Sequence, residues 1–277
     1  MLVNSDSVLF ITLDSCRYDT FQSAAAPNLK GVGPVHRAMA PSHFTFGSHA
    51  AMFVGFTPSV PGAAQPILDN KFGKLFRLGS APHRGASREI FLLEGATIIQ
   101  GFRRLGHRTF GSAAVAWFDP TTAVGHQLSR DFEAFFFPGR TSALPRQLHW
   151  LTCKLDSAAL HPVFAFLNIG ETHVPYHFEG APWAAYDNPC QPYQPVDRAA
   201  ECRTRQCACL EYVDTLLGPL LSRFANATVV VCADHGDCWG EDGLWEHGVS
   251  HEMTLTVPLL IRLRGIPVAR QMNGGAV

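Results

Sequence analysis

The sequence has few charged side chains for its length: only 16% of its 277 residues are Asp, Glu, Lys or Arg. The 22 basic and 23 acidic residues leave a formal net charge of −1. This balance excludes a global basic field of the kind that attracts nucleic acid or anionic membranes. The sequence also lacks an apolar run long enough to span a bilayer. We therefore expect no nucleic-acid or membrane partner, and we expect any anion to bind at a local site.

Basic residues are absent ahead of the first apolar run, MLVNSDSVLFITLD, which soon reaches a carboxylate. This pattern is typical of a core strand and not of a secretory signal peptide, so the expected location is the cytoplasm. The eight cysteines lack the paired spacing of a zinc ribbon, which favours free thiols. No internal repeat is present.

Hydrophobic residues make up 47% of the chain, enough for the core of one globular domain, and we predict a single domain over residues 1–277. Three apolar runs, at 8–14, 163–173 and 227–237, end in polar residues. Near-continuous apolar strands are typical of a parallel sheet covered on both faces, and ligands gather at the carboxyl ends of such strands. The three runs therefore bring their polar residues to one edge.

Helical patterns lie between these runs. GATIIQGFRRLGHRT predicts a helix that ends near Gly106, and CRTRQCACLEYVDTLLGPLLSRF repeats apolar residues at spacings of three and four. Alternating helices and strands predict a doubly wound α/β fold, with a mostly parallel central sheet and helices on both faces. The segments FPGRTSALPR and EGAPWAAYDNPCQPYQPVDRAA are typical of surface connections, and the second is a candidate lid.

The stretch VVVCADHGD is the clearest local signal of chemistry. A strand that ends in Asp234 and His235 offers an oxygen and a nitrogen ligand from one edge, and Gly236 allows a sharp turn. Asp14 supplies a second carboxylate at another strand end. Alternatively, Asp234 caps the next helix and His235 is a hydrogen-bonded core histidine.

The segment HFTFGSHAAMFVGF holds a candidate nucleophile. Ser48 is predicted to be the N-cap of the helix HAAMFV, and Gly55 ends that helix. Thr45 lies just ahead of this helix, where backbone N–H groups and the helix dipole favour an anion. A metal beside Thr45 would make its alkoxide accessible near neutral pH.

Five ordered segments carry a family resemblance that spans nearly the whole chain: FITLDSCRYDTF, PSHFTFGSHAAMFVGFTP, NIGETHVPYH, CADHGDCWGEDGLWEHG and HEMTLTVPLLIR. Together they resemble the sulfatase-like branch of the alkaline phosphatase superfamily. The resemblance implies a metal held by Asp14, Asp234 and His235 and shared with the nucleophile, which falls on Thr45.

The departures from that family pattern narrow the chemistry. Sulfatases that use formylglycine carry CxPSR, whereas residues 45–49 here read TFGSH, so no formylglycine is expected. A threonine nucleophile resembles the phosphodiesterase, lipoteichoic acid synthase and phosphonate-hydrolysing relatives, which favours phosphoryl over sulfuryl transfer. Many sulfatases open with paired aspartates, but Ser15 follows Asp14 here. The number of metals therefore stays open.

Three further histidines match the family pattern. His173 corresponds to a histidine that contacts substrate or leaving group, although it could equally be bonded to backbone at a strand end. The resemblance places His247 at the site as a substrate contact or second-metal ligand, and we assign it a catalytic role with His173. His251 is a further expected substrate contact.

Arg17 and His49 complete the expected substrate-binding residues. Arg17 lies just past Asp14 and could neutralise substrate charge, or it could pair with Asp19 on the surface. The segment NKFGKLFRL could bind an anionic substrate tail or form a solvated helix face; its basic residues are Lys71, Lys74 and Arg77.

The expected activity is metal-assisted phosphoryl transfer to or from a small anionic ester, through a covalent phosphothreonine. The oxygen and nitrogen ligands favour Zn²⁺ or Mn²⁺ as cofactor, with Mg²⁺ and Ca²⁺ possible. Two alternatives stay open: a sulfuric or phosphonate ester hydrolase, and a non-catalytic member that binds a phosphorylated ligand. Hydrolysis versus transfer, the physiological substrate and the oligomeric state also stay open.

Overall fold

Strands rich in buried apolar residues form the centre of the fold. The computed structural model describes residues 2–55, 76–80, 89–93, 95–158, 160–192 and 194–264, with only the backbone described for 76–80 and 89–93. The strands are β1 Val8–Leu13, β2 His36–Met39, β3 Phe76–Ser80, β4 Glu89–Leu93, β5 Arg108–Ala113, β6 Ala134–Phe136, β7 Val163–Ile169, β8 Thr228–Ala233, β9 Cys238–Trp239, β10 Trp245–Glu246 and β11 Thr256–Arg262.

Eight α-helices connect or flank these strands within the described ranges. They are α1 Tyr18–Ser23, α2 Pro27–Lys30, α3 Thr45–Val54, α4 Ile98–Arg104, α5 Ala123–Ser129, α6 Leu144–Ala158, α7 Ala199–Arg223 and α8 Glu252–Leu255. No helix of the described part combines the length and apolar character needed to cross a bilayer.

Seven strands form one sheet in the order β2-β11-β8-β1-β7-β5-β6. The pairs β8-β1, β1-β7, β7-β5 and β5-β6 are parallel, whereas β11 runs antiparallel to both of its neighbours. Two small antiparallel pairs, β3-β4 and β9-β10, lie outside this sheet. The predicted mostly parallel α/β sheet is confirmed.

Helices cover both faces of the sheet, because successive side chains of a strand point to opposite faces. On one face, Leu9 and Ile11 of β1 share a core with α1, α2, α6 and α7. On the other face, Phe10 of β1 and Phe164 and Phe166 of β7 pack with α3, α4 and α5. The predicted helices on both faces are therefore confirmed.

The strand register brings three carboxyl ends together. Leu13, the last residue of β1, pairs with Ile169 of β7 and Ala233 of β8. The residues that follow these three strand ends therefore meet at one edge of the sheet, as the sequence predicts for a doubly wound fold.

Two local predictions about helices are wrong. The helix predicted to begin after Ser48 begins at Thr45, with Phe44 as its N-cap, although it ends at Gly55 as predicted, with φ 73° at that glycine. Ser48 lies inside the helix, where its hydroxyl donates to the backbone oxygen of Asp234 at 2.6 Å. The segment FPGRTSALPR is not entirely a connection, because Leu144 begins α6.

Candidate metal centre

The ends of β1 and β8 bring two carboxylates and an imidazole together. Asp14 follows β1, whereas Asp234 and His235 follow β8, and all three side chains are fully buried. Their ligand atoms lie within 4.8 Å of one another. The parallel register explains this convergence, since Leu13 pairs directly with Ala233.

Thr45 completes this group from the N-terminus of α3. Its Oγ1 lies 3.3 Å from His235 Nε2 and 3.5 and 3.4 Å from the two carboxylate oxygens of Asp14. As the first residue of a ten-residue helix, Thr45 lies beside backbone N–H groups that have no intrahelical acceptor. The hydroxyl is therefore held between candidate metal ligands and a helix end that favours an anion.

Asp234 and His235 each present one free atom to the group. The Oδ1 of Asp234 accepts the backbone N–H groups of Ser15 at 3.1 Å and of His235 at 3.0 Å, whereas its buried Oδ2 has no partner among the described residues. The Nδ1 of His235 lies 2.9 Å from the carbonyl of Gly236 and must donate to it, so Nε2 carries the lone pair. An orphaned buried oxygen beside an imidazole lone pair that meets only the Thr45 hydroxyl among the described residues fits a cation.

The spacing of the four side chains also fits a small divalent ion. Ligands of a tetrahedral zinc, bound at about 2.0–2.2 Å, lie about 3.3–3.6 Å apart. His235 Nε2 lies 3.8 Å from Asp14 Oδ1 and 3.7 Å from Asp234 Oδ2, and 3.3 Å from the Thr45 hydroxyl. The distances from His235 Nε2 therefore equal or slightly exceed the ligand spacing of such an ion.

The electrostatics of the group favour a cation as well. Burial and the neighbouring Asp234 raise the pKa of Asp14 to about 6, and burial raises that of Asp234 to about 7. Burial and nearby His247 lower the pKa of His235 to about 4, so this ring is neutral. Two adjacent buried carboxylates repel each other, and a divalent cation would lower both of their pKa values while it favours the neutral ring of His235.

A second group of possible ligands adjoins the first and consists of His235, Asp237 and His247. Asp237 is a site residue that was not predicted from the sequence, although its place directly after Asp234, His235 and Gly236 could have indicated it. Its Oδ1 lies 2.7 Å from His247 Nδ1, and its Oδ2 accepts the hydroxyl of Tyr176 at 2.8 Å.

The rings of His173 and His247 lie beside the candidate ligands. Their centroids are 5.0 Å apart, and that of His247 is 4.5 Å from His235. His173 Nε2 is 4.0 Å from Asp14 Oδ1, and its Nδ1 is 2.7 Å from the carbonyl of Val174. Burial lowers the pKa of His173. Burial also opposes the charge on His247, but Asp237 outweighs it and raises that pKa to about 9.

The structure places His49 in the core instead of at an open site. The side chain is fully buried; Nδ1 donates to the carbonyl of Thr45 at 2.8 Å, so Nε2 accepts the Thr12 hydroxyl at 2.9 Å. Asn168 donates to that same hydroxyl and to Asp14 Oδ2. His49 therefore links the backbone of the candidate nucleophile to a candidate metal ligand, and no ring nitrogen is left for substrate.

Arg17 and His251 are also occupied by protein partners. Arg17 is 2% exposed, pairs with Asp19 at 2.9 Å and Glu241 at 2.6 Å, and lies over the ring of Trp239. The sequence left open whether Arg17 binds substrate or pairs with Asp19, and the structure contains the pair. The Arg17 side chain of this pair is buried, whereas Asp19 is partly exposed. His251 is the N-cap of α8 and accepts the N–H of Met253. Lys71, Lys74 and the side chain of Arg77 lie outside the described residues.

The candidate lid contacts Glu246, the residue directly before His247. Asn188 donates to the carboxylate of Glu246 at 3.0 Å, and Arg198 clamps Asp187 with two bonds of 2.8 Å. These contacts tie the connection to β10 and to the start of α7.

Solved structures share this fold. The C-terminal periplasmic domain of EcEptC from Escherichia coli, in complex with zinc, matches with a TM-score of 0.62 at 11% identity over 97% of this chain and 75% of that one. The lipoteichoic acid synthase LtaP from Listeria monocytogenes matches with a TM-score of 0.57 at 10% identity over 95% and 67% of the two chains. An alkaline phosphatase superfamily protein from Vibrio parahaemolyticus matches with a TM-score of 0.55 at 15% identity over 97% and 62%.

These similarities show that the chain has the fold of the alkaline phosphatase superfamily, which confirms the superfamily resemblance at the level of the fold. No protein-family model matches the sequence, and no curated protein is similar to it in sequence. The E. coli domain is described as periplasmic. The cytoplasmic location expected for the present chain stays a prediction.

Proposed function

We propose that the protein is a metal-dependent transferase or hydrolase of phosphate esters that works through a covalent phosphothreonine at Thr45. The observation that carries this proposal is the position of the Thr45 hydroxyl, 3.3 Å from His235 Nε2 and about as close to Asp14, at the first residue of α3. A ligand-binding protein without turnover does not require a hydroxyl at this point.

The proposed metal ligands are Asp14, Thr45, Asp234 and His235. A divalent ion held there would polarise a phosphoryl oxygen and make the Thr45 alkoxide accessible near neutral pH. Carboxylate and imidazole ligands favour Zn²⁺ or Mn²⁺, with Mg²⁺ and Ca²⁺ possible. The zinc complex of the similar E. coli domain supports a divalent metal in general.

The proposed first step is an in-line displacement. The Thr45 hydroxyl loses its proton to solvent and its oxygen attacks phosphorus. The bond from phosphorus to the leaving ester oxygen breaks, and that oxygen takes a proton. We assign this proton to His247, because Asp237 stabilises the charged form of its ring. His173, whose pKa is lowered, would hold the substrate oxygens.

In the second step an acceptor oxygen attacks the phosphothreonine and the bond from phosphorus to Thr45 breaks. The acceptor passes its proton to the neutral ring of His247, and the released Thr45 oxygen takes a proton from solvent. Water as acceptor gives hydrolysis, and an alcohol gives transfer. We favour transfer, because a domain of similar fold, EptC from Campylobacter jejuni, is named a phosphoethanolamine transferase, and LtaP is named a lipoteichoic acid synthase. The substrate would then be a small anionic phosphate ester.

The test measures zinc content and compares wild-type protein with Thr45→Ala on a bis-aryl phosphate and an aryl sulfate. The matched control is Thr109→Ala, which removes a buried threonine at the start of β5, at the opposite edge of the sheet. We expect zinc-dependent phosphodiester turnover in the wild type and the control, and none in Thr45→Ala. Mass spectrometry of acid-quenched reactions should find the phosphorylated peptide only when Thr45 is present.

Other outcomes would select the rival functions. Faster turnover of the aryl sulfate than of the phosphodiester would favour a sulfuric ester hydrolase. A wild type that binds zinc but turns over neither ester, and does not differ from Thr45→Ala, would favour a binding protein.

A further inference from the structure

Gln206, on the long helix α7, reaches two of the loops that carry the candidate site. Its side chain is fully buried, and its hydrogen bonds within the described residues are all to backbone groups. The side-chain oxygen accepts the N–H of Arg17 at 3.2 Å, and the side-chain nitrogen donates to the carbonyls of Ser15 at 2.8 Å and Thr172 at 3.0 Å. One amide therefore joins the loop after β1 to the loop after β7.

The partners allow only one orientation of this amide. The reverse orientation would set the NH₂ group against the N–H of Arg17 and the oxygen against two carbonyls. All three bonds therefore require a side chain with one acceptor and two donors at this distance from the helix. Glutamate and methionine have similar length but cannot replace both donors.

The backbone that Gln206 holds also positions the candidate metal ligands. Ser15 has a positive φ of 58°, which a side-chain-bearing residue rarely adopts, and its N–H donates to Asp234 Oδ1. Thr172 donates its hydroxyl to the carbonyl of Asp14 at 2.7 Å. Gln206 thus supports the left-handed turn that orients Asp234 and the loop that fixes Asp14.

We propose that Gln206 is a positioning residue of the metal centre, which sets the geometry of Asp14 and Asp234 through the peptides of Ser15 and Thr172. The inference rests on the metal site of the proposed function. Without the two donors, the left-handed turn at Ser15 loses a bond that offsets its backbone strain. Residues that orient metal ligands typically change metal affinity or activity by about 10–100-fold when they are replaced.

The experiment measures the affinity for zinc alone, by competition with a chromophoric chelator, together with the melting temperature of the metal-free protein. The variants are Gln206→Met, which keeps the length and removes the three bonds, and Gln206→Asn, whose shorter side chain cannot reach both loops. The control is Asp214→Asn, because Asp214 is also buried on α7 but accepts backbone N–H groups of α2, at Asn28 and Leu29.

We expect both Gln206 variants to bind zinc about 10–100-fold more weakly than the wild type. Asp214→Asn should melt at a lower temperature but keep the wild-type zinc affinity. A general loss of stability would lower the melting temperatures of all the variants, but it would not weaken zinc binding in the Gln206 variants while leaving it unchanged in Asp214→Asn. If Gln206→Met does not fold without metal, Gln206→Asn is judged by the same criterion.

Two outcomes overturn the inference, and they are distinguishable. Zinc affinity within about twofold of the wild type in the folded Gln206 variants, or an equal loss in Asp214→Asn, would refute the positioning role alone. A wild-type protein that binds no zinc would refute the proposed metal site and the inference together.

Discussion

The contact between His247 and Asp237 predicts that the metal-free protein loses stability as the pH rises above neutrality. His247 Nδ1 lies 2.7 Å from Asp237 Oδ1, and Asp237 is fully buried. Other charged or titratable groups that act on the pair include Asp14, His173, Tyr176, Asp234, His235 and Glu246. Burial opposes a proton on His247, but Asp237 outweighs burial and raises the pKa from 6.5 to about 9.

The sign and size of the effect follow from linkage. The folded state holds the proton of His247 more tightly than the unfolded chain, so the stabilisation is fully present below pH 6.5 and is lost as the pH rises through about 9. The difference between 6.5 and about 9, at about 1.4 kcal/mol for each pKa unit, corresponds to about 3 kcal/mol.

Urea unfolding of EDTA-treated protein at about pH 6 and about pH 9.5 measures this loss. Buried thiols such as Cys232, whose pKa is raised to about 12, also destabilise the fold at high pH, because they ionise only in the unfolded chain. The variant His247→Gln shares these thiols and serves as the reference. The wild type should lose about 3 kcal/mol more than the variant over this range, and equal losses in the two proteins would refute the reasoning.

Three substitutions test other assignments. His49→Phe removes the bond to the Thr45 carbonyl and should lower the free energy of unfolding by about 1–3 kcal/mol. It should also change kcat more than it changes KM, and a change confined to KM would mean that His49 contacts substrate. Arg17→Met should lower the free energy of unfolding in urea by about 2 kcal/mol and leave KM unchanged. This loss is smaller than that for a fully buried ion pair, because the acidic partners of Arg17 are 37% and 30% exposed. Asp234→Asn removes one of two repelling carboxylates, so at about pH 8 the metal-free variant should melt no lower than the wild type, while zinc no longer raises its melting temperature; a zinc-induced shift as large as that of the wild type would contradict the ligand assignment.

The strands that carry the site could be predicted because their pattern is local. The runs of β1, β7 and β8 are nearly continuously apolar and stop at polar residues, and this contrast follows from burial on both faces of a parallel sheet. The same pattern predicts that Asp14 and Asp234 lie at one edge of the sheet.

The start of α3 could not be predicted in the same way. Ser48 has the residue type of an N-cap, but its hydroxyl bonds to the carbonyls of Ser42 and Asp234. The Asp234 carbonyl comes from a strand that is remote in sequence, so a local capping rule could not include it. Asp237 was missed for a related reason, since its partners Tyr176 and His247 lie on other segments.

The sequence by itself determined the α/β fold and the strand ends, because periodicity and residue type are properties of short segments. Its family resemblance also marked Asp14, Thr45, Asp234 and His235 as candidate ligands. Only the tertiary structure decided which polar side chains already have protein partners and which still have a free atom. It occupies Arg17 with acidic residues and leaves Asp234 Oδ2 without a hydrogen-bond partner in the part of the chain that the structure describes. The reason is that hydrogen bonds and ion pairs satisfy groups from segments far apart in sequence, and only folding brings those segments together.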